Sequence, residues 1–179
     1  MKRKDEYAIV LDYLPYGYPL EGKMRPIVQA VGKTYFALLE LAPIRGASFT
    51  LKEKVYIGPE KRDKIYYITG RLREDKLTET AKLQLNDFVA QVVNEEEKRF
   101  VDFFNNAQAI NTRLHQLELL PGFGKKHTNQ ILTARGQKPF ESFEEIKSRS
   151  GNIPNPKKAI ERRIVEEILE NPRQCLFVD

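Results

Sequence analysis

Cysteine is all but absent: Cys175 stands alone among 179 residues, so neither an internal disulfide nor a cysteine-based zinc site can form. Histidine is nearly as scarce, and His115 with His127 leaves too few ligands for a zinc-type metal site. No apolar run nears the roughly 20 residues that span a bilayer. The basic start at residues 1–6 is followed only by the short apolar run 7–11, not by the core of a secretory signal, and a cytoplasmic, membrane-free location is expected. Catalytic constellations are missing as well. There is no Walker lysine loop, no nucleophile elbow and no paired metal-ligand spacing. The run Glu95-Glu96-Glu97 reads as a solvated helix face rather than a metal cluster. The expectation is a protein that is not an enzyme and carries no cofactor.

What is present is an ordinary folded composition, 41% apolar and 31% charged. The net charge of +5 is unevenly spread. Residues 1–73 carry 14 Lys/Arg against 8 Asp/Glu, residues 74–110 carry 4 against 8, and the remainder carries 12 against 9. Two basic ends joined by an acidic middle suit a polyanion, although so small a surplus also serves solubility alone.

Five short apolar runs punctuated by turns fill the first 73 residues, at 7–11, 27–31, 35–41, 54–57 and 64–69. No helix-length segment separates them to make parallel crossovers, so a small barrel of the OB or S1 type is expected over 1–75. Helical spacing takes over near Thr78: Leu85, Phe88, Val89 and Val92 form one stripe, and Phe100, Phe103, Phe104 and Ala107 another. Asn94 with Glu97 resembles a capping box that starts the second helix. This linker, 76–110, is expected to dock the ends of the chain. From 111 to 179 come shorter helices: one through Leu114 and Leu117, one over 125–135 stopped by Gly136, one over 143–149, and one from Pro156 to about Glu170. The tail 176–178 reads as a closing strand or a docked extension. The expected class is α+β.

The stretch Leu120-Pro121-Gly122-Phe123-Gly124-Lys125-Lys126 carries the functional reading. Two helices are joined by a turn with glycines at alternate positions, which permits positive φ and a backbone without Cβ atoms in a ligand's way. Such a turn can aim successive amides one way, and the helix that follows adds its positive end. Lys125 and Lys126 place charge beside it, and Arg135 and Lys138 fall in the same acid-free window between Glu118 and Glu141. A phosphate fits these features. A tight turn that binds nothing shares Pro-Gly-Phe-Gly, and the flanking residues favour the phosphate.

These residues, with Thr128 and Ile131-Leu132, resemble the helix-hairpin-helix motif. The resemblance implies sequence-independent contact with RNA or DNA phosphates through the Gly-x-Gly backbone, sometimes with a monovalent cation at the turn's carbonyls. It also implies that Phe123 faces inward. Thr128 departs from the usual alanine but is still small. Residues 140–146 resemble the connector of a paired unit, whose second hairpin puts Ile153 and Asn155 where the first has glycines, with Lys157 and Lys158 as further phosphate candidates. A barrel followed by such a pair, together with Tyr13-Leu14-Pro15-Tyr16-Gly17, resembles an archaeal family of uncharacterised proteins of RNA-binding type. The likeness implies RNA as the favoured ligand.

The segment 13–19 is rich in tyrosine for a loop, and Tyr16 and Tyr18 with Lys23 and Arg25 could stack and hold a single strand. The same rings could instead cap the end of the barrel. Tyr66 and Tyr67 cannot both face a core, since neighbours on a strand point opposite ways. An alternative function is a protein–protein adaptor in a ribosomal or transcription assembly.

Overall fold

The computed structural model describes every residue from Met1 to Asp179, and the protein is α+β. Its strands are β1 (Tyr7–Leu14), β2 (Ile27–Gly32), β3 (Leu38–Pro43), β4 (Lys54–Tyr56) and β5 (Ile65–Arg71). All pair antiparallel, in the order β4-β1-β2-β3-β5. Every residue of β2 and residues 8–11 of β1 are buried; a strand covered on both faces is written as an unbroken apolar run rather than an alternation. One face gathers Ala8, Val10, Val28, Ala30, Leu41 and Ile65 into a core. On the other, the buried Gln29 donates to the Lys76 carbonyl at 2.7 Å and accepts from the Thr78 amide at 3.1 Å. Register shifts between Val10 and Asp12, Glu40 and Leu41, and Ala42 and Pro43 add local twist. The sheet curls into a half-barrel whose edges are β4 and β5.

Three strand boundaries depart from expectation. β1 runs on through Tyr13 and Leu14, which pair with Val28 and Ile27, so the aromatic segment begins as strand and not as loop. β3 starts at Leu38, because Phe36 is left-handed at φ +62 and fully buried, its ring 6.2 Å from that of Phe88. β5 continues past Gly70 to Arg71.

The helices are α1 (Glu79–Glu95), α2 (Glu97–Asn106), α3 (Lys125–Gln137), α4 (Phe143–Arg149) and α5 (Pro156–Glu170). The stripe Leu85, Phe88, Val89 and Val92 is buried, as are Phe100, Phe104 and Ala107. α2 is preceded by Glu96 rather than capped by Asn94. Long-range partners take the two residues of the expected box: Asn94 Oδ1 accepts from Lys157 Nζ at 2.8 Å, and Glu97 Oε1 accepts from the Phe143 amide at 2.9 Å. The helix expected through Leu114 and Leu117 is one 3₁₀ turn, Gln116–Leu119. His115 Nδ1 accepts from the Leu117 amide at 3.1 Å and Glu118 Oε2 from the His115 amide at 2.8 Å, which closes a cap around that turn. α3 passes through Gly136 to Gln137.

The chain divides into two compact units, 1–88 with 167–179, and 89–166. The breaks fall inside α1 and α5 rather than at 75/76 and 110/111. The tail belongs with the first unit through the fully buried Glu167, whose carboxylate accepts from the amides of Leu176, Phe177 and Val178 at 2.6, 2.9 and 3.0 Å. Arg3 Nε donates to Asp179 Oδ2 at 2.7 Å, and the Asp179 amide donates to the Tyr35 carbonyl at 3.1 Å. The tail is thus a docked extension. No helix is long and apolar enough to cross a membrane.

Candidate nucleic-acid interface

The second unit holds the 120–124 hairpin between the 3₁₀ turn and α3. The Phe123 amide donates to the Leu120 carbonyl at 3.0 Å and closes the turn. Gly122 stands at φ +83, where a side chain is strained. Phe123 is buried, its ring 6.3 Å from that of Phe104 and 5.8 Å from that of His127. It faces inward, so only its backbone is available to a ligand. Thr128 is buried too, and its hydroxyl donates to the Gly124 carbonyl at 3.0 Å.

Gly124 differs from Gly122. At φ −109 and ψ −169 it is extended, a conformation any residue adopts, and a Cβ built there would meet nothing within 4 Å. Neither backbone nor packing demands glycine at that position. After it the intrahelical ladder begins only with the Thr128 amide on the Gly124 carbonyl at 3.0 Å. The amides of Lys125, Lys126 and His127 are the open donors that every helix start has, and the first turn holds no acid. The Gly124 amide itself is occupied, donating to His127 Nδ1 at 3.0 Å. His127 is therefore a backbone cap and not an idle surface residue, as is His115, whose basicity burial lowers.

The charges are sorted by tertiary partners. Lys126 is exposed and makes no ion pair or side-chain hydrogen bond. Lys125 donates to the Arg113 carbonyl at 2.6 Å and to Glu118 Oε1 at 3.2 Å; the acid bordering the acid-free window folds back beside it. Arg135 does not face a ligand. Its guanidinium donates to the carbonyls of Phe104 and Ala107 at 3.0 and 2.8 Å, finishing α2, and burial lowers its pKa. Lys138 is exposed but lies beyond the far end of α3, about 20 Å along the axis from Lys125 at 1.5 Å per residue. It cannot share a ligand group with the hairpin. Lys157 is held by Asn94, and Lys158 Nζ lies 3.3 Å from Glu161 Oε2. Of the expected set, only Gly122, Phe123, Gly124, Lys125 and Lys126 come together at the first hairpin.

The turn between α4 and α5 retains a left-handed glycine, Gly151 at φ +74, two residues before the position aligned with Gly122. It lies against the first hairpin and α3: a Cβ on Gly122 would meet Pro154 at 3.5 Å, and one on Gly151 would meet Gln130 Nε2 at 3.0 Å.

In the first unit, Tyr18 is committed rather than free to stack. Its hydroxyl donates to Glu40 Oε2 at 2.8 Å, Lys76 Nζ covers its ring at 4.6 Å, and burial pushes its pKa up to about 12. Arg25 Nη2 lies 3.8 Å from Glu40 Oε1. Tyr16, 72% exposed, and Lys23 are open to solvent. Tyr66 and Tyr67 are both exposed, at 72% and 43%, with ring centroids 5.4 Å apart. The register shift that pairs Ala42 with Tyr67 and Pro43 with Ile65 leaves Tyr66 as the extra residue of a bulge in the edge strand β5, so strict alternation is broken there and the two rings meet.

Fold and site together define an α+β protein with a curled antiparallel sheet in one unit and paired glycine-bearing turns in the other. The chain belongs to the family described as protein of unknown function DUF655, whose model matches residues 4–179. It is 44% identical over 174 residues to the uncharacterized protein MJ0038 of Methanocaldococcus jannaschii, covering 97% of this chain and 79% of that one. It is also similar to the crystal structure of Af1531 from Archaeoglobus fulgidus, of the same family. There the TM-score is 0.84 at 42% identity, with 98% of this chain and 100% of the other covered.

Proposed function

We propose that this protein is a non-catalytic, cytoplasmic nucleic-acid-binding protein, with RNA favoured over DNA, which grips the phosphate backbone through a helix-hairpin-helix at residues 120–126. The observation that carries the reading is Gly124. Nothing inside the chain needs glycine there, and in this reading the bare position leaves room for a phosphate at the open amides of Lys125, Lys126 and His127. Those amides, the positive end of a 13-residue helix and the unpaired Lys126 make an anion site. Pro154 against Gly122 supports a paired unit.

The strand order β4-β1-β2-β3-β5 is that of a five-stranded barrel opened between β4 and β5, which supports an OB/S1-like reading of the first unit. The exposed rings of Tyr16, Tyr66 and Tyr67 favour RNA, since sequence-tolerant RNA binding splays single-stranded bases onto aromatic faces. The hairpin itself supplies no base readout, because phosphate contacts position a ligand without specifying it.

Fluorescence anisotropy with short single-stranded RNA and DNA, titrated across a range of salt, tests this. Binding is expected to weaken steeply with salt, to be tighter for RNA, and to be largely lost in Lys126→Glu. Equal retention of wild type and variant at low salt, or none by either, sinks the reading. The adaptor function then stands in its place, seen as co-purification of one specific protein.

A further inference from the structure

Beside the hairpin, α3 turns a polar stripe toward a groove of about 690 Å³. Lys126, Asn129, Gln130, Thr133 and Gln137 line it from α3, and Arg149, Ser150 and Gly151 from the opposite wall. Their three- and four-residue spacing puts the α3 side chains on one face. Arg149 is spent on structure: it donates to the carbonyls of Ala134 and Lys138 at 2.8 and 2.7 Å and pairs with Glu145 at 2.6 Å. What is left to meet a ligand is three amide side chains, two hydroxyls and one lysine, with no acid.

Two atoms in these walls are unfinished. Gln130 Oε1 and Ser150 Oγ are buried with no hydrogen-bond partner, and Ser150 is only 3% exposed. Folded proteins seldom leave such atoms unpaired, and here the two come from facing elements that meet where Gly151 lets the backbone approach the Gln130 amide to 3.0 Å of a would-be Cβ.

We propose that this groove is a nucleobase subsite for a single strand whose phosphate is held at the hairpin; it rests on the phosphate grip proposed above and adds base selectivity to it. Asn and Gln amides present a donor and an acceptor in one plane, as a base edge does. Thr133 and Ala134 supply methyl groups for its face, and Ser150 Oγ completes the set. Lys126 joins the two sites, being both the free cation of the hairpin and the groove's first residue. A base in a duplex has both faces covered by its stacked neighbours, so a base that lays its face on Thr133 and Ala134 is an unstacked one from a single strand.

The test is anisotropy with labelled oligo-A, oligo-C and oligo-U of equal length, at one low salt concentration and across a salt series. Wild type is expected to prefer one base over the weakest by about fivefold or more, the lower end of one good base contact. Gln130→Ala, Ser150→Ala and the exposed Asn129→Ala should each narrow that ratio to about twofold while leaving the slope of affinity against salt unchanged. Ser150→Ala should melt no lower than wild type, because the lost hydroxyl has no partner. Asn129→Ala keeps the test alive if Gln130→Ala unfolds. Equal binding of the three oligomers by wild type, or unchanged preference in the folded variants, overturns the subsite and leaves the grip standing. No salt-sensitive binding of any oligomer overturns the grip and the subsite with it.

Discussion

The turns before α3 and before α5 each put a left-handed glycine shortly after a helical segment, Gly122 at φ +83 and Gly151 at φ +74. From there they diverge. The first reaches its helix through the bare Gly124, and Lys126 stays unpaired. The second takes two more residues and arrives at Asn155, whose Oδ1 accepts from the Lys158 amide at 3.2 Å. Pro156 then removes one donor altogether, and Asn94 and Glu161 hold the two lysines. The first helix start keeps its donors and a lysine open, and the second is largely closed by Asn155, Pro156, Glu161 and the α1 residue Asn94. Two similar turns thus differ in what they leave open, and only the first has the free donors and free lysine that the proposed grip requires.

The largest effect expected is on affinity. Lys126→Glu should weaken RNA binding by about tenfold or more at low salt, whereas Lys157→Glu with Lys158→Glu should stay within about threefold, since held lysines release few counterions. Comparable loss in both variants, measured by anisotropy, would erase the distinction between the hairpins. Next come the left-handed glycines. Gly122→Ala and Gly151→Ala should each cost about 1–2 kcal/mol of stability in denaturant titrations; the first should also weaken the salt-dependent grip, whereas the second, beside Gln130, should leave that grip unchanged and alter only base preference.

The caps give a smaller contrast. Asn155→Ala should cost about 1 kcal/mol, the usual worth of a helix cap, with RNA affinity unchanged. Gly124→Ala should cost less than about 1 kcal/mol yet reduce affinity severalfold, and a purely structural Gly124 would show the reverse. The smallest effect concerns Glu118. The His115 amide first, and then Lys125, hold its carboxyl below its ordinary 4.5. A carboxyl depressed in the folded state stabilises above its unfolded pKa, and that contribution is lost as pH falls through the folded value. Melting temperature should therefore drop in acid, and Glu118→Gln should flatten that limb. At neutral pH the same variant removes the acid beside Lys125, which keeps its bond to the Arg113 carbonyl, and should raise RNA affinity about twofold, the worth of one weak ion pair.

Much of the helical unit was legible because its signals are local. Ser142 accepts from the Glu145 amide at 3.0 Å to start α4, and Pro156 opens α5 at the expected residue. The Leu85, Phe88, Val89 and Val92 stripe is buried as its spacing requires. Legibility ended where a distant partner outbid a near one. Asn94 and Glu97 satisfy a capping pattern but bond to Lys157 and Phe143. Arg135 looks like any basic residue in an acid-free window, yet it closes the end of α2. Tyr66 and Tyr67 are both exposed, with their rings together, because β5 is an edge strand bulged at Tyr66, and edge and bulge alike are set by its pairing with β3 rather than by the strand's own residues.

By itself the sequence determined the things that depend on a few neighbouring residues: a left-handed turn at Gly122, the spacing of apolar stripes and the bare N-terminus of α3. Tertiary structure alone decided which charges remain free. A long side chain finds its partner through space within a few ångströms, and the chain brings Glu118 to Lys125 and Asn94 to Lys157 across separations that no local pattern encodes. It also decided that Gln130 Oε1 and Ser150 Oγ would end up buried without partners, because an unpaired atom is known only once everything around it is in place.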